Sequence, residues 1–250
     1  MKWALPWVAG LLSLAVGLVV YMPAQVAVGW AEQALPGLRT SGVHGSLLDG
    51  SAAHLLYHDV ALENTSWTLH PLALLRGRLA GLVTTATDSG QLSARAALSL
   101  SGRLSLNQLS GSASLKWLAR RAGYSFLPVA GLIGVDVETL SLSPDGDIDR
   151  LNGRVQASGL RWQLLKPPPL LGDYVLALHS ADSKILAEIT DSSGPLALAG
   201  KASLSQQGVY QLDLRLRAGE QADPRLAKLL TELGKPDVQG WYRIKERGQL

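Results

Sequence analysis

Five histidines are spread over the 250-residue chain, and two of them stand four apart in His54-Leu55-Leu56-Tyr57-His58. On a helix that spacing puts both imidazoles on one face, as in zinc-binding metalloproteases. The segment alternates like a strand, which sets the rings ~13 Å apart, and it has no Glu between them. The pair therefore reads as strand histidines. Asp145, Asp147 and Asp149 alternate like the start of a calcium loop, but that loop needs Gly at its sixth position and Glu at its twelfth. Those places hold Arg150 and Gln156, and Pro144-Asp145-Gly146 already accounts for the segment as a solvated turn. Gly194-Pro195-Leu196-Ala197-Leu198-Ala199-Gly200-Lys201-Ala202 mimics a phosphate-binding loop, with one residue too many and Ala202 where a hydroxyl is required. Its alternation again says strand. No G-x-S-x-G, S-x-x-K or G-x-G-x-x-G occurs. Asn64-Thr65-Ser66 fits the glycosylation pattern, a short match with little content of its own. The chain reads as non-enzymatic, with no catalytic residue, no cofactor site and no metal site.

Composition narrows the classes further. Hydrophobic residues make up 47% and charged residues 17%, so the chain has the material for a packed fold and is not of the disordered type. The absence of Cys excludes a disulfide framework, a thiolate metal site and a Cys nucleophile. A net charge of +3 is spread along the chain, and Arg120-Arg121 is the only adjacent basic pair. Nucleic-acid binding needs a concentrated basic stripe to displace counterions, and this chain has none.

Trp3 to Met22 carries no charge, and none follows until Glu32. About 20 residues at ~1.5 Å each span ~30 Å, the thickness of a bilayer's hydrocarbon core. Trp3, Trp7 and Tyr21 stand towards its ends as membrane-interface anchors. Lys2 and the terminal amine keep the N-terminal side cytoplasmic by the positive-inside rule. The run is longer than a signal-peptide core, and no A-x-A site follows it. These features predict a single-pass inner-membrane anchor over residues 1–22, with the rest of the chain across the membrane.

The elements that follow are a short helix and then strands. Pro23–Leu35 reads as a helix opened by Pro23 and ended by Pro36-Gly37, which makes residues 23–37 a helical linker. Val26, Trp30 and Ala34 share one face of it. From Leu38 to the end of the chain the period becomes 2, and a small motif recurs: an apolar or small residue, one variable residue, Gly, then alternation. It stands at Leu100-Ser101-Gly102-Arg103-Leu104, Leu151-Asn152-Gly153-Arg154-Val155 and Leu198-Ala199-Gly200-Lys201-Ala202, among others. Such runs are half-buried strands with Gly at a start, bulge or bend. Asp88-Ser89-Gly90, Pro144-Asp145-Gly146 and Gln206-Gln207-Gly208 separate them as hairpin turns. The expected fold over 38–250 is mainly β, an antiparallel and curved meander with one wet face and a few short helices. Two helices are expected inside it. One covers Ser114–Arg121. The other covers Leu226–Leu233, with Asp223 as N-cap, Pro224 at N1 and Gly234 as its stop. Pro167-Pro168-Pro169 reads as a stiff extended connector.

The order of blocks resembles protein N of the bacterial type II (general) secretion pathway. After the anchor, Gly45-Ser46-Leu47-Leu48-Asp49-Gly50-Ser51-Ala52 stands in the place of that family's "G-T-hydrophobic-W-x-G-x-A" signature, with Leu48 at the usual Trp. Similar blocks follow at Ser66–Leu79, Leu171-Gly172-Asp173-Tyr174, Asp191–Gly200 and Leu233-Gly234-Lys235-Pro236-Asp237-Val238-Gln239-Gly240. The resemblance implies a bitopic inner-membrane protein with a periplasmic domain. It would serve as an accessory subunit of the machine that exports folded proteins across the outer membrane, with other secretion subunits as partners. A more distant likeness, to AsmA-type β-groove proteins, implies instead a sheet that shelters or transfers lipid. Neither resemblance brings catalytic residues.

Trp67, Trp117, Trp162 and Trp241 lie beyond the anchor, where large rings usually pack in the core. Trp67, with His70 and Pro71, stands where a strand meets a turn and is the candidate interface.

Overall fold

The computed structural model describes residues 17, 21–34, 37–57, 60–74, 76–121, 123–124, 126–182 and 184–249. Trp3, Trp7, His58 and most of the expected anchor lie outside them. Tyr21 is described and is exposed. Among the described residues no helix is long and apolar enough to cross a membrane.

Helix α1 (Ala24–Ala34) leads into β1 (Leu38–Gly45), β2 (Asp49–Tyr57) and β3 (Val60–Leu69). The short helix α2 (Pro71–Leu74) precedes β4 (Arg78–Thr87), β5 (Gly90–Ser99) and β6 (Leu104–Ser114). After α3 (Leu115–Arg121) come β7 (Val129–Leu142), β8 (Ile148–Trp162), β9 (Leu170–Ala181), β10 (Lys184–Ser193), β11 (Leu196–Ser205) and β12 (Val209–Ala218). Helix α4 (Pro224–Thr231) and β13 (Tyr242–Gln249) complete the described chain. The strands follow one another in the sheet in chain order, and every pairing whose register is described is antiparallel. The mainly-β meander expected from the period-2 pattern is the fold observed. Packing divides it into two units. One holds residues up to 86 together with 95–100; the other holds 87–94 and the chain from 101 onward.

In the first unit α1 lies along β1, but not by the face that Val26 and Trp30 share. Those two side chains are exposed, and the buried residue is Ala24. The helix instead answers the backbone of an edge strand. Glu32 Oε1 accepts from Thr40 N and Thr40 Oγ1 at 2.6 and 2.7 Å, and Gln25 Nε2 donates to Val43 O at 3.1 Å. Unpaired groups on a strand edge template further strands, and these two side chains blunt that edge. In β3, Asn64 takes a φ of 48° at a register shift, so the glycosylation-like triplet is a β-bulge. It turns Thr65 inward, where Thr65 Oγ1 donates to Thr85 Oγ1 at 3.1 Å and Thr85 Oγ1 to Glu63 O at 3.0 Å.

In the second unit the two sheet faces differ sharply. Cross-strand partners share a face, so one row reads Leu109, Val137, Gly153, Leu178, Ala187, Ala202 and Leu212. The next row along the strands is Val135, Val155, Leu176 and Ile189, and a third holds Ala113, Ile133, Ala157 and Tyr174. The opposite face carries a row of alternating charge: Asp136 against Arg154, then Glu188, Lys201, Asp213 and Lys245 on four successive strands. This is the wet face anticipated from the alternation.

Both expected helices of this unit form. Ser114 caps α3, its Oγ accepting from Trp117 N at 3.1 Å, while Asp88 accepts from both the backbone and the hydroxyl of Ser114. Trp117 is buried, and Arg121 lies 3.9 Å from its ring centroid. Asp223 caps α4 by accepting from Arg225 N, and Leu226 and Leu230 are its buried stripe. Each such leucine is worth about 1.5–3 kcal/mol of transfer free energy. The helix stops at Thr231, two residues before the expected end. The three prolines are not an extended connector. Trp162 N donates to Pro169 O at 3.0 Å, closing residues 163–168 into a loop, and the Lys166–Pro167 bond within it is cis. Asp145 and Asp147 sit in the β7–β8 turn, closed by Ser143 N to Asp147 O at 2.8 Å, and Asp149 lies 3.5 Å from Arg103. The phosphate-loop mimic is strand β11 with Gly200 inside it.

Candidate interaction site

The signature stretch 45–52 is the β1–β2 hairpin, and its small residues are there because the chain is crowded. Gly45 has a φ of 86°, and a Cβ on it would overlap Asp49 O. A Cβ on Gly50 would meet Trp67 Cζ2 at 2.6 Å and Ser46 O at 2.7 Å. Ala52 is 1% exposed, so nothing larger fits there. Ser46 closes the turn, its N donating to Asp49 O at 2.7 Å and its Oγ accepting from Asp49 N at 3.0 Å. The tip is tied on two sides. Leu47 N donates to Met22 O at 2.8 Å, and Trp67 Nε1 donates to Leu47 O at 3.0 Å.

The candidate interface residues therefore divide. Trp67 is half-buried, with its indole N–H committed and its ring against Gly50, which makes it the buttress of the hairpin. His70 and Pro71 are exposed. Their backbone is fixed, with His70 N donating to Ala80 O at 2.8 Å and His70 O accepting from Ala73 N at 3.0 Å. An exposed corner with a hydrogen-bonded backbone thus stands beside a half-buried ring.

Two further blocks meet each other. Gly172 of β9 and Gly194 approach so closely that a Cβ on Gly194 would lie 2.6 Å from Gly172 Cα. Above them the buried Tyr174 hydroxyl lies 2.8 Å from Leu196 O and 3.0 Å from Leu171 O, and it shares one proton between them. Burial, with the Asp173 charge adding, pushes this phenol up to about 12. The last block is a locked turn. Asp237 Oδ1 accepts from Gln239 N and Trp241 N, both at 2.9 Å, and leaves Val238 fully exposed. Trp241 lies under Arg217, 4.6 Å from guanidinium carbon to ring centroid, and 5.7 Å from Arg215.

On the charged face of β9–β13 lies an open trough of about 740 Å³, with Glu188, Lys201, Asp213, Lys245 and Arg247 in its lining. Arg243 holds Asp213 through Nε at 2.8 Å and Nη2 at 2.6 Å, and this hydrogen bonding keeps the Asp213 carboxyl below its usual range. Reasoning from the sequence missed this row. Its members are separated by tens of residues, and their only common signal is a charge at the same step of an alternating strand. Among the described residues no cluster of three metal-ligating side chains occurs.

What these joints define is a β-sheet protein whose recurring sequence blocks serve close backbone approach. Residues 36–245 match the family described as type II secretion system (T2SS), protein N, and the chain belongs to that family. It is 25% identical over 236 residues to the type II secretion system protein N of Aeromonas hydrophila, covering 93% of each chain. The protein of the same name from Vibrio cholerae is 25% identical over 248 residues, 95% of this chain and 94% of its own. That from Pectobacterium carotovorum is 26% identical over 137 residues, 52% of this chain and 55% of its own. No solved structure matches. Membership makes the chain an accessory subunit of a type II secretion system, with other components of that system as partners.

Proposed function

We propose that the chain is a non-catalytic inner-membrane subunit that takes part in export of folded proteins by presenting rigid sheet surfaces to other secretion subunits in the periplasm. A single span over residues 3–22 holds it, with the N-terminus cytoplasmic and Trp3, Trp7 and Tyr21 at the interfaces. The observation that carries the reading is the correspondence between the family's sequence blocks and the sheet's joints. Gly45, Gly50, Gly172 and Gly194 are positions where an added Cβ would meet backbone or a ring within 3 Å. Their demands are those of a scaffold, and the ionisable groups support the same view. Asp213 is held by Arg243, Asp223 by Arg225 and Asp149 by Arg103.

The test is photo-crosslinking in native envelopes from a probe at His70, with a second probe at Lys245 in the charged trough. Adducts to other secretion subunits are expected. Adducts to lipid alone from both sites would overturn the reading.

A second reading, a lipid-holding curved sheet, draws support from the three apolar rows of the second unit, most of whose side chains are only half-buried. Retention of phospholipid in stoichiometric amount by the purified chain, lost in Leu176→Asp, would favour it over the scaffold.

A further inference from the structure

The chain has a single phenylalanine, Phe126, and it is 66% exposed. Tyr124 is exposed to the same extent, and Leu164, across the end of the same sheet, to 59%. The two connections that carry them, α3–β7 and β8–β9, meet at one end of the sheet. Gln163 N donates to Pro128 O at 2.7 Å, next to the pairing of Val129 with Trp162, so Leu127 and Leu164 flank one closed backbone pair. Tyr124 N donates to Ala119 O at 2.9 Å, and Arg225 of α4 donates to Lys166 O at 2.9 Å and Pro167 O at 3.3 Å.

The charge on these connections is of one sign. Residues 115–128 carry Lys116, Arg120 and Arg121, residues 161–170 carry Arg161 and Lys166, and neither stretch has a carboxylate. Beyond them, Asp173 is engaged by Gly159 N at 2.6 Å and Asp223 by the Arg225 fork. Exposed aromatic and leucine side chains on connections that carry only cations have the composition of segments that seat in the headgroup layer of a bilayer.

We infer that this end of the second unit docks on an anionic lipid surface, with Tyr124, Phe126 and Leu164 entering the headgroup layer and Lys116, Arg120 and Lys166 contacting phosphates. The inference does not depend on the secretion reading or on the N-terminal anchor.

Because the chain has no Cys, single-cysteine labelling is unambiguous. The full chain is prepared with Phe126→Cys, Leu164→Cys or, at the opposite end of the same unit, Gln206→Cys, each carrying an environment-sensitive NBD dye. Each is mixed into vesicles of POPC alone or POPC with 30 mol% POPG. The expected result is a blue-shifted emission, quenched by doxyl lipids, at 126 and 164 in POPG vesicles only, with 206 remaining water-like. Each cation near such a surface is worth about fivefold in the immersion equilibrium. Lys116→Gln and Lys166→Gln should each reduce it by about that factor, with unchanged circular dichroism. Water-like emission at 126 and 164 in both vesicles would overturn the inference, as would equal shifts with and without POPG. A benzophenone at 126 that captures polypeptide rather than lipid in native envelopes would also overturn it and make the patch a protein interface.

Discussion

The indole of Trp67 lies against Gly50 so closely that a Cβ on Gly50 would stand 2.6 Å from ring carbon Cζ2. A strand residue and a ring from the neighbouring strand thus occupy one space, and the hairpin tip at 46–48 is held by the same indole through Leu47 O.

Gly50→Ala should lower stability by about 1–3 kcal/mol, the usual cost of forcing atoms into a packed site. In a Trp67→Ala background the penalty should fall but not vanish, because Ser46 O also stands 2.7 Å from the added carbon. Denaturant melts of the four variants give the coupling directly. Additive effects would mean that the ring and the glycine do not compete.

Tyr174→Phe removes the one proton shared by Leu171 O and Leu196 O in a buried site and should cost about 1–2 kcal/mol. The phenol, ordinarily near 10, is pushed up to about 12 by burial and the Asp173 charge. Its contribution is whole below pH 10 and is lost as pH rises through 12. Tyrosinate absorbance should therefore include one late-titrating phenol that is missing in the variant.

The Asp223 carboxyl is held down at about 2 by hydrogen bonds from the Arg225 side chain and backbone. Its folded value lies below the unfolded one, so the stability it gives α4 is complete above pH 4 and fades as pH falls from about 4 to 2. Amide protection factors in residues 225–231, which remove the intrinsic pH dependence of exchange, should fall over that window, and in Asp223→Ala they should be low at every pH. A flat profile in the parent protein would contradict the assignment.

Asp237→Ala should free the turn that positions Trp241 and cost on the order of 1 kcal/mol. Trp241 is under Arg217 in the intact turn, so its emission should shift to the red. Asp237→Asn keeps an accepting oxygen and should restore most of the signal.

Much of this fold was legible in the sequence because its determinants are local. Pro144-Asp145-Gly146 names its own turn, and Asp223-Pro224 opens α4 as expected. The alternation of 196–204 outweighed the phosphate-loop likeness and gave a strand. What stayed hidden depends on partners far along the chain. Gly172 and Gly194 stand in separate blocks 22 residues apart, and nothing local in either shows that they touch. The four-residue helix α2 is too short for any periodicity to encode. Val26 and Trp30 form an apolar stripe that the helix turns outward, because Glu32 and Gln25 are drawn to the edge of β1. The charged row from Asp136 to Lys245 is assembled only when the strands are laid side by side.

That charged row bears on how such a chain avoids mispairing. A slip of one residue between β11 and β12 is prohibitive, since it would put every leucine on the wrong face. A slip of two is invisible to the apolar pattern: Leu198 would face Leu214, or Leu204 would face Leu212, in place of its present partner. Charge distinguishes the three alignments. In the native one Lys201 faces Asp213; slipped one way it would face Arg215, and slipped the other way Gln211, with Asp213 left opposite Ala199. Opposite charges across strands are worth about 0.2–1 kcal/mol, and like charges cost a similar amount. In a fold made of near-synonymous Leu- and Ala-rich strands, the solvent-facing side thus discriminates among alternatives that the greasy side accepts equally.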